Sequence, residues 1–187
     1  MSEFSHPAIQ RVVEAASRKG VKLDITIFDE STHTAEEAAA IVGADLGQIV
    51  MSLVFVAPRA GGRLVPIVCL VSGRNRVDLA QLAAVTGESA IRRATAREAR
   101  ELTGFSIGGI PPFGHGHDVR IVMDPDLCPY PVVWAAAGTD TAIFPVSPGA
   151  LRVLSNAFVA PIAEEPWIPA AIGMETRLRF EAGGSTF

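Results

Sequence analysis

Ile49-Val50-Met51-Ser52-Leu53-Val54-Phe55-Val56-Ala57 and Leu64-Val65-Pro66-Ile67-Val68-Cys69-Leu70-Val71-Ser72 flank Pro58-Arg59-Ala60-Gly61-Gly62-Arg63. Two apolar runs of strand length around a Gly-rich connection predict a β-hairpin. The runs hardly alternate with polar residues, so both faces of the hairpin should be covered, which places it in the middle of a sheet. Neither run is long enough to cross a bilayer.

Working outward, Pro7 suits a first helical position, and Ile9, Val12, Val13 and Ala16 mark one face of a helix that Gly20 ends. Val21, Leu23, Ile25 and Ile27 alternate with polar residues and predict a half-buried strand. Thr34 and Glu37 form a capping box before Ala38, Ala39, Ile41 and Val42, with Gly43 as the stop. Asp78 caps a short helix that ends near Gly87, and Thr95 with Glu98 makes a second capping box on a helix that Gly104 stops. Val119 to Met123 and Val132 to Ala136 read as core strands, Pro148 to Leu154 as a helix, and Phe158 to Ile162 as a closing strand. Strands outnumber helices without strict alternation. The fold class is therefore α+β, a mixed and curled sheet with helices outside it.

The chain of 187 residues is 49% hydrophobic and 19% charged, which fits one domain with a real core and excludes extensive disorder. A formal net charge of -4 argues against non-specific wrapping of nucleic acid, while leaving room for a local basic face. Cys69 and Cys128 stand in no metal or redox spacing and read as two buried thiols in a reducing cytosol. No basic and then apolar opening segment predicts a signal peptide. We read residues 1–165 as a single domain and 166–187, with Gly183-Gly184-Ser185, as a partly flexible C-terminal extension.

Chemistry concentrates in Gly104-Phe105-Ser106-Ile107-Gly108-Gly109-Ile110-Pro111-Pro112-Phe113-Gly114-His115. Glycines permit positive φ and close approach to main-chain N–H groups, and prolines stiffen the path. Such a loop can present N–H groups to a carbonyl or a developing oxyanion; it can equally be a rigid helix-to-strand connection. Ala135-Ala136-Ala137-Gly138-Thr139-Asp140 follows a strand. Its small residues either leave a space lined by Thr139 and Asp140 or make a tight turn. His115 and His117 lack partner ligands for a metal site. No nucleophile elbow, P-loop or dinucleotide fingerprint is present. Arg92, Arg93, Arg97 and Arg100 form a basic cluster offset by Glu98 and Glu101, either a solvated helix face or a phosphate contact.

Taken together, several stretches resemble the YbaK family, free-standing relatives of the editing domain of bacterial prolyl-tRNA synthetases. They are Thr34 to Ala39, Gly47 to Phe55, Leu70 to Gly73 with Val77 to Leu79, Leu102 to Phe105 with Gly108 to His115, and Trp134 to Thr139, in order and spacing from about Val21 to Ile162. The resemblance implies a barrel-like mixed sheet surrounded by helices. It also implies hydrolysis, without metal or cofactor, of the ester between a wrong small amino acid (Cys, Ala or similar) and its tRNA. The partners implied are the 3′ aminoacyl-adenosine end of a mischarged tRNA and, transiently, a synthetase in the cytoplasm, with no membrane. The family's Gly-x-x-x-Pro loop falls on Gly108 to Pro112, so Gly108, Gly109 and Pro112 are implied in catalysis, with Asp140 a candidate to hold the amino group. Met51, Ser52, Ser72, Arg74, Phe113, Gly138 and Thr139 are expected around the substrate.

One departure bears on mechanism. Family members carry a lysine after the Ile-Val pair, and here that position is Met51. A thioether neither donates a hydrogen bond nor carries charge. Three consequences are open: a retuned deacylase using water placed by main-chain groups and the ribose hydroxyl, a catalytically degenerate binding module, or a second cation, such as Arg74, reaching the site.

Overall fold

The structure, a computed structural model, describes residues 6–29, 31 and 34–165; the expected extension over 166–187 lies outside them. Helix α1 (Pro7–Ser17) starts on its proline and buries Ile9, Val12 and Ala16. Strand β1 (Thr26–Ile27) follows, and then α2 (Ala35–Val42), whose capping box is formed in both directions and whose stop, Gly43, sits at φ 66°. Strands β2 (Ile49–Pro58) and β3 (Leu64–Ser72) make the expected hairpin, paired from Val50↔Ser72 to Pro58↔Leu64. Helix α3 (Leu79–Thr86) is capped by Asp78, strand β4 (Arg92–Arg93) is short, and α4 (Ala96–Thr103) starts at the Thr95–Glu98 capping box. The chain continues through β5 (Arg120–Met123), β6 (Val133–Ala136), β7 (Ala142–Val146), α5 (Pro148–Ser155) and β8 (Phe158–Val159).

The sheet is mixed, in the order β1-β7-β6-β2-β3-β5-β8, with β4 also on β2. Pairing is parallel at β2–β6, β3–β5 and β5–β8, and antiparallel elsewhere. The hairpin is central, as its composition requires, and its residues divide by parity. Val50, Val54, Val56, Val68 and Leu70 join α1, Phe105, Ile110, Phe113 and Leu151 in the larger core. Phe55, Ala57, Ile67, Cys69 and Val71 pack on the other face against Leu82 of α3, Ala160 and Ile162.

Four details differ from the sequence reading. The strand expected over 21–27 pairs only at Thr26 and Ile27, where β7 offers partners; Leu23 is buried without a ladder. The closing strand stops at Val159, because the N–H groups of Ile162 and Ala163 donate to the Asp124 carboxylate (both 2.9 Å) rather than to a strand. β7 is an addition to the sequence reading, and it carries Pro145. β1 covers only Ala142 and Ile143, so the proline deprives no neighbour on that side of a donor. β4 places Arg92 and Arg93 on a strand rather than on a helix face.

Candidate active site

β6 meets β2 only at Ile49 and Val50, and β4 meets it only at Phe55 and Val56. Between these contacts one edge of β2 is uncovered, and a cavity of about 270 Å³ opens there. Met51 and Ser52 of β2, Arg93 of β4, Gly108 and Ile110 of the glycine-proline loop and Trp134 of β6 form much of its wall. Arg93 is the one ionisable side chain lining it among the described residues. Its neighbours are engaged: Arg92 donates twice to Glu98 (2.8 Å each) and Arg97 pairs with Glu101 at 2.7 Å. The exposed Arg93 guanidinium has no hydrogen-bond or ion-pair partner among the described residues.

The loop is braced from behind. Thr103 Oγ1 donates to the Ala99 carbonyl (2.7 Å) and accepts the Phe105 N–H (3.1 Å), fixing the exit from α4. Arg11 donates to the Gly104 carbonyl (2.7 Å) and lays its guanidinium 4.3 Å from the Phe105 ring centroid. His115 Nε2 lies 2.9 Å from the Pro111 carbonyl; since a carbonyl only accepts, that nitrogen carries the proton. Burial holds the His115 imidazole below its ordinary range, against the opposing effect of this bond.

Of the residues expected at the site, Met51, Ser52 and Gly108 line the cavity. Gly108 is exposed at φ 94°, and a Cβ on it would stand 3.3 Å from Asp140 Cβ, so Asp140 lies beside the rim. Gly109, Pro112 and Phe113 are buried behind the wall, Phe113 edge-on to Phe144 with ring centroids 5.7 Å apart. Gly138, at φ 103°, packs so tightly on α1 that a Cβ would meet the Ala8 carbonyl oxygen at 2.7 Å. Thr139 Oγ1 is 3.2 Å from Thr141 Oγ1.

Two expected residues are employed elsewhere. Ser72 is buried, donates to the Gly47 carbonyl (3.0 Å) and accepts the Arg74 N–H (3.3 Å). Arg74 pairs with Asp45 at 2.6 Å and does not line the cavity, whose cation is Arg93. The sequence carried a signal for Arg93. The Thr95–Glu98 box starts α4 at Ala96, leaving Arg93 outside the helix to which the basic cluster was assigned. Ile107, Ile110, Trp134 and Ala136 also line the cavity without having been singled out. Among the described residues no three His, Cys, Asp or Glu side chains come together as a metal-binding group.

A mixed sheet with an interrupted strand edge, closed over by a stiff glycine-proline loop, defines a small-ligand pocket protein. Residues 29–154 match the model of the aminoacyl-tRNA editing domain, and the chain belongs to that family. A crystal structure described as a candidate trans-editing enzyme for prolyl-tRNA synthetase superposes with a TM-score of 0.78 at 44% identity, over 87% of this chain and 100% of that one. YwhH of Bacillus subtilis (strain 168) is 33% identical over 132 residues, 71% of this chain and 81% of YwhH. The multifunctional Ser/Thr-tRNA deacylase ProXp-y of Escherichia coli (strain K12) is 29% identical over 129 residues, 68% of this chain and 76% of that protein. Among the described residues no helix is long and apolar enough to cross a membrane.

Proposed function

We propose that this protein removes a wrongly attached small amino acid from tRNA in trans, hydrolysing the ester at the 3′-terminal adenosine. The observation that carries this reading is the cavity between Gly108 and the open edge of β2. At about 270 Å³ it suits an aminoacyl group, with the nucleotide left at the mouth. Its walls are mainly aliphatic, and an aliphatic pocket discriminates by size, setting which acyl group is accepted.

The chemistry needs no side-chain nucleophile. The exposed main chain at Gly108 fixes the ester carbonyl and faces the oxyanion as it forms. A water oriented by main-chain groups or the ribose hydroxyl attacks the carbonyl carbon. The tetrahedral adduct collapses, the bond between the acyl carbon and the ribose oxygen breaks, that oxygen takes up the proton given up by the attacking water, and the free amino acid and tRNA leave. Asp140, beside Gly108, attracts the substrate ammonium. The reaction as proposed uses no metal or cofactor, and a synthetase releasing the mischarged tRNA is the natural transient partner.

Met51 favours a second reading, a binding module that has lost hydrolysis with its lysine. Arg93, which lines the cavity without an ion-pair partner among the described residues, supports the enzyme instead, since it supplies a cation there. Purified protein incubated with Ala-, Ser-, Cys- and Thr-charged tRNAs decides. We expect faster deacylation of at least one of them; folded protein that accelerates none would leave the binding module.

A further inference from the structure

The hydrogen-bonding parity of β2 makes one residue of the uncovered edge different from its neighbours. The Gly73 N–H donates to the Ile49 carbonyl and the Arg59 N–H to the Arg63 carbonyl, both at 2.8 Å. These are hydrogen-bonded pairs of the hairpin, and in an antiparallel ladder such pairs alternate with non-bonded ones. Odd-numbered residues of β2 therefore turn their N–H and C=O toward β3, and even-numbered residues turn theirs the other way. β3 agrees: Leu70, opposite Ser52, gives its carbonyl to the Asp124 N–H at 2.9 Å, away from β2.

On the outward edge, Val50 is taken by β6. The Val54 carbonyl accepts the Ala94 N–H at 3.0 Å, and Val56 faces Arg92 of β4. Ser52 lies between, where the β2–β6 register has ended and the β2–β4 register has not begun. Its N–H and C=O point into the interruption, which is the cavity. A second observation is independent of parity. Ser52 Oγ is a buried side-chain oxygen without a hydrogen-bond partner among the described residues. Buried polar groups in folded proteins are almost always satisfied, and the residue that carries this orphan is also one that lines the cavity.

Resting on the deacylase reading, we propose that this interruption is the slot for the aminoacyl ester, with Ser52 holding the acyl head and Arg93 the phosphate on the nucleotide side. The Ser52 N–H and Oγ donate to the ester carbonyl from the strand side, beside the Gly108 main chain that faces the oxyanion as it forms, and the Ser52 carbonyl accepts one N–H of the α-ammonium that Asp140 attracts. The acyl group thus occupies the ladder position that no strand fills, a one-residue form of strand addition. Arg93, fixed by the β2–β4 pairing and without an ion-pair partner among the described residues, presents donors to phosphate oxygens at the mouth. Among the described residues it is the cavity's cation, and Met51 adds none.

The test uses the full chain and a hydrolysis-resistant probe, the alanyl amide of 3′-amino-3′-deoxyadenosine 5′-phosphate, with AMP as the control lacking an acyl head. Wild type should bind the amide more tightly than AMP, and the Ser52 amide proton resonance should move downfield with the amide only. Ser52→Ala should weaken the amide by about tenfold, one lost hydrogen bond, and leave AMP unchanged. Arg93→Ala should weaken both alike and flatten the salt dependence of binding, as loss of one charged phosphate contact requires, with Arg93→Lys in between. Ser52→Ala removes an unpartnered hydroxyl, so its thermal midpoint should not fall, which separates binding from folding. Equal amide binding by wild type and Ser52→Ala, or no probe binding at all, would overturn the slot. Ser52-dependent amide binding by a protein that deacylates no tRNA would keep the slot and remove the deacylase reading.

Discussion

Gly109 lies so close to Thr139 that a Cβ placed on it would stand 2.5 Å from the Thr139 Cα, well inside contact distance. The glycine-proline loop and the turn after β6 are thus docked main chain to main chain, and this docking sets where Gly108 meets the cavity. Gly109→Ala should destabilise the fold by roughly 1–3 kcal/mol, the range for overpacking a tight contact. It should also reduce deacylation in the protein that remains folded, because Gly108 shifts with its neighbour. Chemical denaturation with single-turnover deacylation checks both; an unchanged midpoint would mean the two segments part easily.

The two cysteines should differ sharply. Cys69 lies in the centre of β3, fully buried, and its thiol is pushed up to about 12, first by burial and then by the negative Asp124. At pH 8 only about one in ten thousand such thiols is ionised, and the thiolate is the reactive form. Cys128 is exposed rather than buried. Native protein should therefore give one fast thiol per chain with a disulfide reagent and two after denaturation. Two fast thiols in the native state would show that the centre of the sheet opens readily.

The elements that the sequence made legible are those whose determinants are local. The capping boxes at Thr34 and Thr95, the Asp78 cap and the near-continuous apolar runs of β2 and β3 each fix their element within a few residues, and each appears as read. The two-residue β4 and the proline-bearing β7 exist because β2 and β6 supply partners from far away in sequence, so short-range pattern does not reveal them. The site divides in the same way. Gly108, Met51 and Ser52 came from a motif and line the cavity, while Arg93 enters it only through β4 pairing. Ser72 and Arg74 carry the right chemistry, but Gly47 and Asp45 engage them elsewhere.

His115 makes stability depend on pH in a defined direction. Its folded-state pKa is lowered, chiefly by burial, relative to an unfolded imidazole at about 6.5. In the window between those values the unfolded chain binds a proton that the folded chain refuses, so stability falls as pH falls through it. The neutral ring is also the form that donates from Nε2 to Pro111 while leaving its other nitrogen uncharged. Urea midpoints measured from pH 7.5 to 5.5 should decline more steeply for wild type than for His115→Gln. Parallel curves would assign the decline to other groups.

Met51 is the position at which a lysine would change the site most directly. It is half-buried, lines the cavity and packs against the core on the α3 side of the sheet. A lysine can keep much of that packing with its alkyl stem while its ammonium reaches the polar mouth. Met51→Lys should therefore stay folded and add one cation near the nucleotide phosphate. The dependence of log kcat/KM on log salt should steepen by about 0.7, one contact to a single strand. In an Arg93→Ala background the same change should recover most of the lost salt dependence, because either cation serves the same phosphate. Measured deacylation across a salt series, for the two single variants and the double variant, checks this. A Met51→Lys protein that folds but shows the wild-type slope would show that position 51 contacts the acyl group rather than the phosphate.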